Sequence, residues 1–419
     1  MNNLVKETNY TKVKPQTVVN IVDSIMGSGK TSWAIQYMNN SSKDKNFLYI
    51  TPFLAEIQRV KDSVKLRSFL APEPKGNQKG KLDNLKQLIL HKKDIASTHA
   101  LFQKADDELI ELIQAGNYTL ILDEVMNVLE QCELNKDDFK WLCDSGMVLV
   151  DEETGLIRWN NEGEYQETRY KDIKSLAESN NLYYFENTVL FWTFPISVFK
   201  AFKEVYIMTY LFECQQQKYY YDIYKINYEY KSIKSSSEGL YYLSDYEKTN
   251  NAALSELKSL INIYEGKLNN IGEDKFAMSN SWFRKSKNEQ LVKKLQNNAT
   301  TYFKNNVKTT TKLNMWTCFK DDKPKLKGKG YTKGFVSVNA RATNAFKEKE
   351  SLAYLVNRYM HPYEKKFFIS KGIEVNEDMF ALSELLQWIW RSRIRVGQQI
   401  NLYIPSKRMR HLLTNFLCM

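Results

Sequence analysis

Eight residues, Ser24-Ile25-Met26-Gly27-Ser28-Gly29-Lys30-Thr31, constrain this chain more than any other stretch. An apolar run at 18–22 precedes them and reads as a buried strand, and residues 32–38 follow with apolar positions 33, 34, 37 and 38 on one helical face. Strand, glycine-bearing loop and helix in that order make a cradle for phosphates. Backbone N–H groups face the anion, Lys30 reaches the β- and γ-oxygens, and the Thr31 hydroxyl can ligate Mg²⁺. The chain is therefore expected to bind a nucleoside triphosphate with Mg²⁺ through Gly27, Ser28, Gly29, Lys30, Thr31 and Ser32. Ser24 stands where such loops usually carry their first glycine, so the turn there must accept a side chain.

A second element completes the chemistry. Tyr118-Thr119-Leu120-Ile121-Leu122-Asp123-Glu124 is an apolar strand that ends in two carboxylates. Asp123 is placed to hold Mg²⁺ together with Thr31, and Glu124 to orient and deprotonate the water that attacks the γ-phosphate. In a parallel sheet the carboxyl ends of strands 18–22 and 119–122 lie on one edge, where ligands bind.

Near the C-terminus, residues 383–395 read as a helix with Ser383 as N-cap and Gly397 just past its end. Gln387, Arg391 and Arg395 are spaced i, i+4, i+8 and are expected on one face, from which the arginines could stabilise charge developing in phosphoryl transfer. Arg393 points elsewhere.

Composition narrows the class. A chain of 419 residues with 43% hydrophobic content can bury two or three cores. Sixty Lys and Arg against 49 Asp and Glu leave a formal charge of +11, which favours a polyanionic partner. Lys320, Lys323, Lys325, Lys327, Lys329 and Lys333 concentrate in one stretch, either facing phosphate or simply solvated. The five cysteines form no C-x-x-C pair and the four histidines no ligand spacing. Both facts argue against zinc or a disulfide framework and fit a reducing cytoplasm. The first 19 residues lack the apolar core of a signal peptide, and no run approaches the roughly 18 apolar residues that would cross a bilayer.

Along the chain, strands are expected at 18–22, 47–50, 95–98, 119–122 and 205–209, with a hairpin insertion at 147–160. A Tyr- and Ser-rich linker is expected at 218–238. Beyond it come a helix from 251, strands at 276–279, 316–319 and 335–338, a helix near 351–360 and a strand at 400–404. This alternation predicts an α/β protein of two domains, 1–225 and 226–419.

The sequence resembles superfamily 2 helicases, especially small helicase-like proteins of bacteriophages and mobile elements. Residues 24–31 look like motif I, Thr51-Pro52 within Tyr49-Ile50-Thr51-Pro52-Phe53-Leu54 like motif Ia, and Ala96-Ser97-Thr98-His99 like the Ib segment. Asp123-Glu124-Val125-Met126 looks like motif II, Met208-Thr209-Tyr210 like the coupling motif III, and Ser279-Asn280-Ser281-Trp282-Phe283 like motif IV. Residues 339–344 resemble motif V and 387–395 motif VI. The departures are DEVM in place of DEAD or DEAH, a poor motif III, and Q-x-x-x-R-x-R-x-R in place of Q-x-x-G-R-x-G-R.

The resemblance implies two tandem RecA-like domains with parallel sheets and ATP in the cleft between them. It implies Glu124, Gln387, Arg391 and Arg395 as catalytic residues, and Thr51, Pro52, Thr98, His99, Trp282 and Arg341 as nucleic-acid contacts. The implied activity is that of an ATP-dependent helicase or translocase acting on single-stranded or forked DNA, RNA not excluded, with phage replication or recombination proteins as partners in a bacterial cytoplasm. Two other classes fit part of the pattern. One is an ATP-switched loader that separates no strands; the other is a terminase-like packaging ATPase, which should also carry a cluster of acidic metal ligands after residue 250.

Overall fold

The computed structural model describes residues 17–74, 80–160, 169–248, 251–338 and 345–418. The first half is built on β1 (Val18–Asp23), β2 (Asn46–Thr51), β3 (Phe69–Leu70), β4 (Asp94–Thr98) and β5 (Tyr118–Asp123). An insertion follows, with β6 (Leu129–Cys132), β7 (Val148–Val150), β8 (Ile157–Trp159), β9 (Leu182–Phe185) and β10 (Val189–Thr193). The chain then returns through β11 (Glu204–Thr209), β12 (Tyr228–Ser235) and β13 (Tyr241–Asp245).

Eight of these strands form one sheet in the order β13-β12-β1-β11-β5-β2-β4-β3. All neighbours run parallel except β13, which is antiparallel to β12. Every residue of β2 and β5 is buried, as continuous apolar runs must be when helices cover both faces. Because the strands are parallel, β1, β5 and β11 deliver Asp23, Asp123 and Thr209 to the same edge.

The second half carries β14 (Ile261–Ile263), β15 (Asn314–Thr317), β16 (Ser351–Tyr354) and β17 (Ile400–Tyr403) in a parallel sheet ordered β14-β17-β16-β15. Two parallel-sheet α/β units thus stand as expected. They touch at the glycine loop: Ile25, Met26 and Leu211 pack beside Trp390 against the core of the second unit.

The insertion has its own core around Phe139, Leu142, Ile157, Trp159 and Leu182, with β6, β10 and β9 antiparallel and the expected hairpin formed by β7 and β8. It also reaches the second half. The Phe367 ring on helix Pro362–Ser370 meets Tyr183, Phe185 and Phe191, and Lys366 pairs with Glu186 at 2.9 Å.

Several expectations are corrected. The supposed linker at 218–238 is occupied by helix Gln216–Ile223 and by β12, so the first sheet runs past residue 225 to Asp245. Its aromatic residues are not linker composition but packing: Tyr219, Tyr220 and Tyr221 are buried. Residues 276–279 form a turn, because Met278 has a left-handed φ of 63° and Ser279 caps helix Asn280–Arg284. Of 335–338 only Phe335 bridges a strand, at Trp316. The expected helix near 351–360 is instead the wholly buried strand β16, a short apolar run whose period is ambiguous by itself.

The 383–395 helix begins earlier, at Glu377, where Asn376 accepts from the Met379 N–H, and it ends at Ile389, so Ser383 lies mid-helix. Arg393–Val396 is a separate 3₁₀ turn closed by Gly397 in the left-handed region at φ 71°. Gln387, Arg391 and Arg395 therefore do not share one helical face. Arg393 does point away, to Glu350 at 2.6 Å. In the lysine-rich 320–333 stretch, Lys325 pairs with Asp322 at 2.9 Å and Lys323 lies over the Phe335 ring.

Candidate active site

The glycine loop is braced from both sides. The buried carboxylate of Asp23 accepts the N–H groups of Leu211 at 2.9 Å and Phe212 at 3.0 Å, which lie on the turn after β11. The Ser24 N–H donates to the Thr209 carbonyl at 3.1 Å, while Ser24 Oγ accepts from the Ile233 N–H of β12 at 2.9 Å. That second bond explains the serine in the first glycine's place: its hydroxyl is a strut to the neighbouring strand. Gly27 and Gly29 adopt φ of 85° and 92°, open to glycine without steric cost, and Gly29 opens helix Lys30–Asn40.

Lys30 Nζ donates to the carbonyls of Ser24 and Ile25, folding the side chain over its own loop. Burial pushes this ammonium below its ordinary value, Glu124, Asp23 and Asp123 pull it back up, and the Arg395 guanidinium of the second half lowers it again. Charges from both halves therefore converge on Lys30.

Across the edge, burial, with the Glu124 and Glu56 carboxylates adding to it, pushes Asp123 up to about 7. Its Oδ2 accepts from Thr51 Oγ1 at 3.4 Å. Glu124 sits in the left-handed region at φ 67°, its N–H donating to the Met208 carbonyl at 3.0 Å, an orientation an ordinary strand end would not give. His99 Nε2 lies 3.1 Å from the Asp123 carbonyl, and Gln217 Oε1 accepts from the Met126 N–H at 3.0 Å.

From the second half, Trp390 approaches the loop closely: its Nε1 would lie 3.6 Å from a Cβ on Gly27. Gln387 and the buried Arg391 line a groove of about 1410 Å³ between the halves, together with His99, Ser281, Arg284 and Asn357. Gln215 Nε2 donates to Ser383 Oγ across the same boundary at 2.6 Å.

These donors fit a Mg²⁺-bound triphosphate. The loop has two left-handed glycines, Ser28 Oγ is buried without a hydrogen-bond partner, and Thr31 lies in the first turn of an 11-residue helix that opens at the sheet edge to which β5 delivers Asp123. Among the described residues no cluster of three or more His, Cys, Asp or Glu side chains could hold a metal, so the ion would depend on Thr31, Asp123 and phosphate oxygens, the pattern Mg²⁺ favours.

The nucleic-acid candidates are dispersed. Thr51 is fully buried with its hydroxyl on Asp123, and Trp282 is packed in a core with Phe283 and Leu295; neither side chain is available to a strand. Thr98 Oγ1 accepts from the Leu101 N–H at 3.3 Å, Pro52 is half-buried, and among the described candidates only His99 lines the groove. Arg341 and the rest of 339–344 lie outside the described residues. Sequence reasoning missed Asp23, Gln215 and Trp390. Asp23 alone left a signal, a carboxylate ending an apolar strand directly before the loop.

Comparison with known proteins gives two family matches: the YonV C-terminal Rossmann-like domain over residues 255–417 and the YonV middle domain over residues 129–192. The latter coincides with the insertion. The SPbeta prophage-derived uncharacterized protein YonV of Bacillus subtilis (strain 168) is 45% identical over 407 residues, covering 95% of this chain and 98% of that one. Among solved structures, apo XPD superposes with a TM-score of 0.50 at 12% identity over 95% of each chain. Xpd4 of S. tokodaii gives 0.48 at 12% identity over 96% of this chain and 94% of that one.

Proposed function

This chain belongs to the YonV family, and on that premise we propose that it is a nucleic-acid-stimulated ATPase that translocates along or separates DNA strands. One arrangement carries the proposal: β1 runs into the Lys30 loop and β5 ends at Asp123, followed by Glu124, on the same sheet edge, while Trp390 of the other half packs beside Gly27 of that loop. Lys30 would exchange its carbonyl partners for β- and γ-phosphate oxygens. Thr31 and Asp123 would hold Mg²⁺, and Glu124 would orient the attacking water. Bound Mg²⁺ would neutralise charge on the transferred group. Arg395 and Arg391 would offset charge that builds as the γ-phosphoryl leaves, Arg391 lining the groove together with Gln387.

The +11 charge and the groove's Ser281, Arg284 and His99 support a polyanionic strand as the partner. The prophage origin of the Bacillus subtilis relative supports a place in phage replication or recombination. The test is ATP hydrolysis with single-stranded DNA, duplex, fork and RNA in parallel, beside a strand-displacement assay. Lys30→Ala and Glu124→Gln should abolish turnover; full activity of Lys30→Ala would remove the proposal's core. Stimulated hydrolysis without displacement on any fork would leave a translocase or switch rather than a helicase.

A further inference from the structure

The order of strands fixes which way a nucleotide must lie. Its γ-phosphate end faces β5, where Asp123 and Glu124 stand, with β11 between β5 and β1. Sugar and base then extend to the opposite side of β1, over β12 and β13. β12 runs parallel to β1, so it ends on the loop's edge of the sheet, and the turn at 236–240 rises there before β13 returns from Tyr241.

This hairpin is held rigidly at that place. Ser24 Oγ accepts from the Ile233 N–H, the Tyr241 N–H donates to Gln36 Oε1 at 2.9 Å, and Gln36 Nε2 donates to the Gly239 carbonyl at 3.3 Å. Loop, following helix and hairpin thus form one unit. The half-buried ring of Tyr241 lies flush against Gly29: a Cβ there would fall on the ring carbons, so the glycine is required by contact as well as by its φ of 92°.

We infer that Tyr241 is the base platform of the site: its ring forms the wall against which the nucleobase of a bound nucleoside triphosphate packs. The assignment rests on the triphosphate reading of the loop above and adds the part of the ligand that reading leaves unplaced. Because every base has a π-face, such a platform selects for the presence of a base and not for adenine over guanine.

The test is calorimetric titration of the full chain with Mg-ATP, Mg-GTP and Mg-tripolyphosphate, which has the phosphates but no base. Tyr241→Leu keeps an apolar side chain on Gly29 and removes the ring. It should weaken ATP and GTP alike by about fivefold to a hundredfold, the range of a single base–aromatic stack. It should leave tripolyphosphate within about twofold, and Tyr241→Trp should restore nucleotide binding. Equal loss for tripolyphosphate would make Tyr241 a prop for the loop, and unchanged ATP binding would remove it from the site; either result overturns the assignment. Lys30→Ala must weaken all three ligands; if the native chain binds none of them, the loop itself is not a triphosphate site and the platform falls with it.

Discussion

Asp23→Asn tests the brace beneath the glycine loop. The native carboxylate is 4% exposed and uses both oxygens, one on Leu211 N–H at 2.9 Å and one on Phe212 N–H at 3.0 Å. An asparagine keeps one acceptor and turns an NH₂ toward the other amide, leaving a buried donor facing a donor. A lost bond to a charged acceptor is worth about 1.5–3 kcal/mol and an orphaned buried donor about 1–3 kcal/mol. Burial holds the Asp23 carboxyl above its ordinary value, so removing its charge recovers part of that loss. A net cost of about 2–4 kcal/mol follows, which for a unit of this size lowers its melting temperature by roughly 4–15 °C. Differential scanning calorimetry at pH 7.5 would read the shift, and ATP turnover should fall with it, since the Leu211 turn also touches the second half. A variant melting within about 1 °C of the native protein would refute the claim that this carboxylate ties β1 to β11.

Other consequences follow from the same contacts. Arg395→Ala should lower kcat of DNA-stimulated ATP hydrolysis by about 10³-fold with KM for ATP little changed, whereas Arg393→Ala, whose partner is Glu350, should change kcat less than about threefold by steady-state assay. Burial pushes the Glu364 carboxyl up to about 7, with the Gln216 amide and Arg358 opposing. A carboxyl held above its unfolded value costs stability increasingly as pH rises from about 4.5 to 7. Glu364→Gln should therefore match the native protein at pH 4 and exceed it at pH 8 by roughly 1–3 kcal/mol in thermal melts; a gap that closes with rising pH would reverse the sign. Phe367→Ala, deleting a buried ring that meets three rings of the insertion, should cost about 3–5 kcal/mol and raise hydrogen exchange across 182–193.

Much of the first half was legible because its strands are long, apolar and followed by diagnostic residues. The strands expected at 18–22, 47–50, 95–98, 119–122 and 205–209 all form, each within a residue of its bounds. The second half resisted because its strands have only three or four residues, too few to establish a period. β14 merged with the preceding helix and β16 read as helix. At the site, Lys30, Asp123 and Glu124 could be placed because chemistry and position coincide. Gln387, Arg391 and Arg395 were placed on a helix that stops at Ile389, where Ser392 Oγ donates to the Ile389 carbonyl at 2.7 Å and draws the chain out of register. Tyr241 left no local trace, since its position depends on an edge hairpin folding back beside β1.

The insertion leaves the first half just after Glu124 and rejoins it just before β11, so both of its roots belong to strands that carry the site, while its far side grips helix Pro362–Ser370 through rings and the Lys366–Glu186 pair. It therefore ties the two halves together at a second place besides the glycine loop, and any rotation of one half against the other must shear that aromatic seam.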